Sequence, residues 1–262
     1  MKTFRFLGMA LLAVVLCVNF TACSDDDSEQ NENGNQSGEN LKLASVTWDM
    51  DDGGTEFSYD AQGHISEVAA YDESGELSSL STIEYNSDNI VVTTDDGYHE
   101  DICSLNANGQ IVKSVCTSGG YTKTAEYAYN AEGYLISIYE VEYDETTNLT
   151  WENGNLIKAD DGYMEKTYAY TSTPSEKGFT YLDDILIDIF PDNVYLPLLA
   201  NSGYFGKVPK NLLASATGTY QDSGDSRSWN LDYEFGDNGY VTKISAVGGA
   251  DFDDSWVSLT WK

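Results

Sequence analysis

The first groups in this chain whose type and spacing could do chemistry are carboxylates. Asp49, Asp51 and Asp52 fall within four residues and run into Gly53, and Asp251, Asp253 and Asp254 repeat the arrangement. Hard oxygen donors on alternate positions are what Ca²⁺ takes, six to eight at a time. The spacing misses the EF-hand loop, however, and Asp-Gly is ordinary turn chemistry, so a turn reading competes with a Ca²⁺ site at Asp49, Asp51 and Asp52. No other cofactor is implied. His64 sits in a Gly-containing turn and His99 at a strand start. Neither has a Cys or His at metal-ligand spacing, and both read as surface residues. There is no Gly-x-Ser-x-Gly elbow, Walker loop, dinucleotide fingerprint or zincin motif. No catalytic residue is assigned, and the chain reads as non-enzymatic. The rival from another class is a hydrolase using an Asp/Glu pair.

Cysteine carries a clearer chemistry. Lys2 and Arg5 precede an apolar run from Phe6 to Val18, and Phe20-Thr21-Ala22 leads into Cys23. That order is a secretory signal over residues 1–22, with a run too short to span a bilayer. A cysteine directly after Thr-Ala resembles a lipobox, which makes Cys23 the acylated mature N-terminus. After Cys23, residues 24–40 are Asp, Ser, Glu, Gln, Asn and Gly without apolar residues to bury, so residues 23–40 read as a lipidated, disordered acidic tether. The acidic run after Cys23 resembles the export signal of Bacteroidetes surface lipoproteins. The expected location is the outer membrane, held by lipid and facing the exterior, with the periplasmic face as the alternative.

Net charge is −31. A chain so acidic is repelled by polyanions, which argues against nucleic acid and anionic lipid headgroups as partners, and charge decides nothing further. A glycan or a protein is the expected ligand, the glycan on account of the abundant aromatics. Oligomeric state is not legible. Past Cys23 the exported chain holds Cys103 and Cys116. If Asn106–Gly109 turns a hairpin, Cys103 lies opposite Val112 and Cys116 about 13 Å further along, too far for a bridge. Two separate thiols are expected. Most aromatics alternate with polar residues and belong to a core. Trp256 shares a face with Ser258 and Thr260, opposite Val257, Leu259 and Trp261, and is the candidate exposed ligand-binding ring.

These residues must be positioned by a repeated unit. Tyr59-Asp-Ala-Gln-Gly63-His-Ile65, Tyr71…Gly75…Leu77, Leu105…Gly109…Ile111, Tyr129…Gly133…Leu135 and Phe235…Gly239…Val241 share one pattern. A large apolar residue stands four before a glycine and an aliphatic residue two after it. The glycine supplies the positive φ of a hairpin loop, the Asp or Asn hydrogen-bonds the turn backbone, and the flanking apolar residues meet across the hairpin. Together with Asp95-Asp-Gly97, Gly119-Gly120 and Asp160-Asp-Gly162, such turns recur at strand-length intervals. The expectation is all-β: an antiparallel meander of about 16 short strands over residues 41–262, rolled or barrel-like because a flat sheet holds no more than about 10. All four prolines fall in residues 172–216. There Leu182, Ile185, Leu186, Ile189 and Phe190 are spaced as a helical face ending at Pro191, read as a plug or cap that fills the roll.

The turn units resemble those of YD-repeat β-rolls. Lipobox, acidic tether, repeats and the insertion ending in Gly203-Tyr-Phe-Gly-Lys-Val-Pro209 together resemble a family of Bacteroidetes lipoproteins. That family is classed as a domain of unknown function with a porin-like fold. The resemblance implies a rolled or barrel-like sheet and carries over no activity and no binding residues. It also raises a third reading, a small outer-membrane pore. A lipid-spanning barrel needs an apolar outer belt and a polar lumen.

Overall fold

The structure, a computed structural model, describes residues 41–48, 53–95, 97–181, 187, 189–190, 195–248 and 255–262. Cys23, Asp49, Asp51 and Asp52 lie outside the described residues, as do Asp251, Asp253 and Asp254. Sixteen strands run in order: β1 Leu43–Trp48, β2 Gly54–Tyr59, β3 Ile65–Tyr71, β4 Leu77–Tyr85, β5 Asn89–Thr94, β6 His99–Leu105, β7 Ile111–Ser118 and β8 Tyr121–Tyr129. They continue as β9 Leu135–Glu140, β10 Glu145–Glu152, β11 Asn155–Asp160, β12 Met164–Pro174, β13 Asn211–Tyr220, β14 Ser226–Phe235, β15 Val241–Gly248 and β16 Ser255–Trp261. Each pairs antiparallel with its neighbours in sequence, and β1 pairs β16, so the sheet closes into a barrel. Lys42 and Lys262 exchange backbone hydrogen bonds at the seam, at 2.8 and 2.9 Å. Closure leaves no strand edge open, so the span 41–262 pairs its own ladder and is a self-contained unit.

The repeated turns behave as their chemistry requires. Tyr59 pairs Ile65, Tyr71 pairs Leu77, Leu105 pairs Ile111, Tyr129 pairs Leu135 and Phe235 pairs Val241, each across a register shift one residue before the turn. Asp60, Asp72, Asn106 and Asn130 each accept two backbone N–H groups of their own loop through Oδ1. Gly63 sits at φ +94 and Gly133 at φ +87, the left-handed region that β-carbons resist.

A second regularity was not legible. On seven of the even strands an aromatic residue bonds the carbonyl of an aliphatic residue at or near the start of the preceding strand. Tyr59 donates to Leu43 (2.6 Å), Tyr85 to Ile65 (3.0 Å), Tyr129 to Ile111 (2.5 Å), Tyr170 to Leu156 (2.6 Å) and Tyr233 to Leu213 (2.8 Å). The indoles of Trp151 and Trp261 do the same to Leu135 and Val241. Leu105 holds the equivalent place on β6 and carries no polar head. These groups form an aromatic collar around one end of the barrel.

Sixteen strands enclose more space than wall side chains fill, and comparable barrels carry an aqueous channel. Here the segment between β12 and β13 enters the lumen. Phe179, Tyr181, Ile187, Phe190, Leu196, Leu199 and Phe205 from it share one core with Val92, Ile138, Leu156 and Ile244 of the wall. The insertion is shorter than the proline run implied, because β12 reaches Pro174 and β13 starts at Asn211. Of the predicted helical face, Leu182, Ile185 and Leu186 lie outside the described residues, and Ile189 and Phe190 are not helical; α1 spans Tyr195–Asn201, beyond Pro191. Pro197 falls in its first turn, where the missing N–H breaks no intrahelical bond. Asn201 fixes its end: Nδ2 donates to Pro197 and Tyr181 carbonyls while Oδ1 accepts from Thr180 and Tyr181.

Outward positions read differently. Glu56, Glu67, Glu84, Glu100, Lys113, Glu126, Asn230, Asp232 and Glu234 are exposed on the outer wall. Exposed apolar side chains on the strands are scattered: Ile102, Ile136 and Val247 at 36%, 37% and 41%, with Leu77 at 52% and Phe235 at 47% at strand ends.

Candidate functional site

The barrel has two unlike ends. At the collar end the tyrosines are half-buried and bonded, and their hydroxyls are held protonated. Burial alone pushes Tyr59 up to about 12, and burial raises Tyr85, Tyr129, Tyr170 and Tyr233 further. Lysines face the rings: Lys42 Nζ stands 4.8 Å from the Tyr59 centroid, Lys207 4.8 Å from Tyr134 and Lys177 5.3 Å from Tyr240. A cavity of about 370 Å³ opens here, lined by Tyr59, His64, Glu176, Asn201, Tyr204 and Trp261 among others. His64 is therefore not the plain surface residue its turn position suggested. Its ring lies 4.7 Å from Tyr85 and 6.5 Å from Tyr204, and Nδ1 stands 3.1 Å from Asp60 Oδ2. The local signal was the turn alone; the plug that brings Tyr204 is distant in sequence.

The opposite end is acidic and its tyrosines point outward. Tyr98, Tyr121, Tyr143 and Tyr163 are 71%, 82%, 56% and 61% exposed. They occupy the tips of four successive hairpins, β5–β6, β7–β8, β9–β10 and β11–β12. Tips recurring every two strands stand roughly 10 Å apart. Asp95, Glu142, Asp144 and Asp161 are exposed among them. Asp161 Oδ1 accepts the Tyr163 and Met164 amides at 2.8 and 2.6 Å, which holds that tip in shape. Sequence reading passed over these rings because each sits in a turn rather than in an alternating strand.

Beneath the rim two smaller cavities reach the lumen. One of about 250 Å³ lies between β1–β4 and α1, lined by Trp48, Phe57, Val68, Ser81, Tyr195 and Leu198 among others. The other, of about 140 Å³, brings Glu140, Asp161 and Lys166 to one lining. Trp256 is on neither end. It faces outward on β16, half-buried, with Lys243 Nζ 4.8 Å from its ring centroid.

The thiols are placed closer than the turn count predicted. Cys103 pairs Ser114, not Val112, because the loop takes five residues and Val112 is the extra residue of a bulge. Cys116 then lies opposite Asp101, two residues from that pair, a diagonal of about 7–8 Å that still does not suit a bridge. No disulfide joins them. Burial, with the Asp101 charge adding to it, pushes the Cys103 thiol up to about 12. His99 also departs from the surface reading: its Nε2 is 3.0 Å from Asp101 Oδ2, and Asp101 is fully buried.

Residues 57–243 match the model of a family described as a domain of unknown function (DUF4595) with porin-like fold. The chain belongs to this family. Among solved structures it is similar to a porin-like protein from Bacteroides uniformis, 18% identical over 85% of this chain and 95% of that one, with a TM-score of 0.63. A porin-like protein from Bacteroides vulgatus matches at 13% identity over 83% and 97% of the two chains, with a TM-score of 0.56. At these identities the likeness concerns the fold alone. No curated protein matches. For a DUF4595 chain, then, the barrel is the shared part and its chemistry must be read from its own residues.

Proposed function

We propose that this protein is a lipid-anchored, non-conducting binding module of the outer membrane, and that the tyrosine rim of its acidic end engages an extended neutral saccharide. The observation that carries the reading is the inversion of the wall. A pore faces lipid with apolar side chains and water with polar ones; here carboxylates cover the outside and an apolar plug fills the lumen. What remains for function is the surface, and its least ordinary feature is four exposed rings in series, amid carboxylates that accept hydroxyl protons. Tyrosine gives large rigid contact area with little rotamer entropy to lose. Rings repeated along a rim suit a chain-like ligand, and the local negative charge disfavours anionic glycans.

Outer-membrane placement is supported by the lipobox at Cys23 and by porin-like relatives in Bacteroides. A Cys23→Ser protein should lose acyl labelling and leave the membrane fraction; retention of label would remove the anchor assignment. Binding is tested by a glycan array with residues 41–262, beside Tyr121→Ala and Trp256→Ala. The rim reading expects neutral glycans to bind and Tyr121→Ala to lose at least about tenfold. Loss in Trp256→Ala with Tyr121→Ala unchanged would move the site to the outer wall. No bound glycan, with a protein captured instead, would replace the ligand class. Release of reducing ends from a bound glycan would turn binding into hydrolysis, with Glu140 and Asp161 the pair to substitute.

A further inference from the structure

We infer that His99, Asp101 and Cys116 form a binding site for a transition-metal ion of the Zn²⁺ type on the inner wall of the acidic end. The three residues are brought together by register alone. His99 and Asp101 alternate on β6 and so share a face, and Asp101 pairs Cys116 on β7, so the thiol joins that face. One imidazole nitrogen, one carboxylate oxygen and one sulfur lie within 4.8 Å of one another. A tetrahedral ion bound at about 2.0–2.3 Å holds its donors about 3.3–3.8 Å apart, so the wider separations close and the His99–Asp101 pair opens slightly, both within reach of side-chain rotation.

The donor set selects the ion. Sulfur argues against Ca²⁺ and Mg²⁺, which take oxygen, and imidazole with thiolate suits Zn²⁺ and its neighbours. Three protein ligands leave a fourth position, as in zinc sites that keep a water or substrate. Burial supports a demand for a cation: a carboxylate with no exposed surface is costly unless matched by positive charge or hydrogen bonds. His99 Nε2 stands 3.0 Å from Asp101 Oδ2. Tyr195 of α1 packs against the imidazole, 5.3 Å between ring centroids, and Thr94 Oγ1 anchors the His99 backbone by donating to its carbonyl at 3.0 Å. Lys123 lies opposite Cys116 on β8, on the same face. The acidic end draws cations towards the site.

The site does not depend on the rim reading, and its test is separate. Residues 41–262, reduced and stripped with chelator, are titrated with Co²⁺ and followed by absorption. The expected result is one ion per chain, with a thiolate-to-cobalt charge-transfer band and the strong d–d absorption of tetrahedral cobalt, both abolished by Zn²⁺. Cys116→Ser should lose the charge-transfer band, and Asp101→Asn should weaken binding at least roughly tenfold. Cys103→Ser, which removes a nearby thiol outside the site, should keep the band. Circular dichroism of each variant reports whether the barrel is intact; if Asp101→Asn unfolds, Cys116→Ser decides. No charge-transfer band in the parent, or a band that survives Cys116→Ser, overturns the assignment.

Discussion

Tyrosine serves the two ends of this barrel in opposite ways. At the collar end Tyr59, Tyr85, Tyr129, Tyr170 and Tyr233 are half-buried and tied to carbonyls one strand back, so each ring closes a hairpin. At the acidic end Tyr98, Tyr121, Tyr143 and Tyr163 stand mostly in solvent. The plug makes the difference. It enters and leaves through the collar end, where Tyr134 bridges Gly206 and Ile111 donates to the Tyr204 carbonyl. One end is therefore committed to closing the fold, while the other is left to meet something outside.

The comparison can be broken by substitution. The plug should carry the largest effect. Phe205 is buried between Tyr127 and Phe190, at 4.8 and 4.6 Å between centroids, and Phe205→Ala should cost about 3–5 kcal/mol in urea unfolding. A loss below about 1 kcal/mol would mean that the wall stands without its filling. Next comes glycine. A β-carbon on Gly206 (φ +81) would lie 2.2 Å from the Gly133 carbonyl, while one on Gly75 (φ +77) meets nothing within 4 Å. Gly206→Ala should lose at least about 2–3 kcal/mol, and Gly75→Ala only the 1–2 kcal/mol of left-handed backbone strain. Equal losses would erase the contrast between the ends.

Hydroxyl deletion sharpens the same point. Tyr129→Phe removes a donor to Ile111 and should cost about 0.5–1.5 kcal/mol, whereas Tyr121→Phe at the rim should stay within about 0.5 kcal/mol. The smallest effect is acid. Hydrogen bonds from the Ser74 hydroxyl and the Glu76 amide hold the Asp72 carboxyl below its ordinary value. A depressed folded pKa gives stability that is present above the ordinary carboxylate range and lost as pH falls through the lower folded value, below about 4. Asn106 and Asn130 build equivalent turns with amides that do not titrate. Protection of the Ser74 and Glu76 amides, taken relative to the intrinsic exchange rate at each pH, should thus fall on acidification while that of Asn108 and Gln110 holds.

Local chemistry explains what was legible. Tyr-Asp-x-x-Gly turns announce themselves because the aromatic, the Asx acceptor and the positive-φ glycine lie within five residues, and closure follows from the number of strands such turns imply. What depended on register or on distant contacts was not legible. One bulge residue, Val112, moves Cys116 from opposite His99 to opposite Asp101; either register sets the thiol beside these two side chains, and spacing along the chain alone does not show it. Apolar spacing predicts a helix that runs to Phe190, yet the described residues Ile187 and Phe190 serve as core contacts without helical backbone, and α1 starts at Tyr195. Alternation did place Trp256 on the outer face, since period two survives any register.

Sedimentation of residues 41–262 without detergent tests the inverted wall most directly. The polar exterior and filled lumen predict a compact species that stays in solution at physiological salt. Material that pellets until detergent micelles cover it would contradict the account and return the barrel to the bilayer.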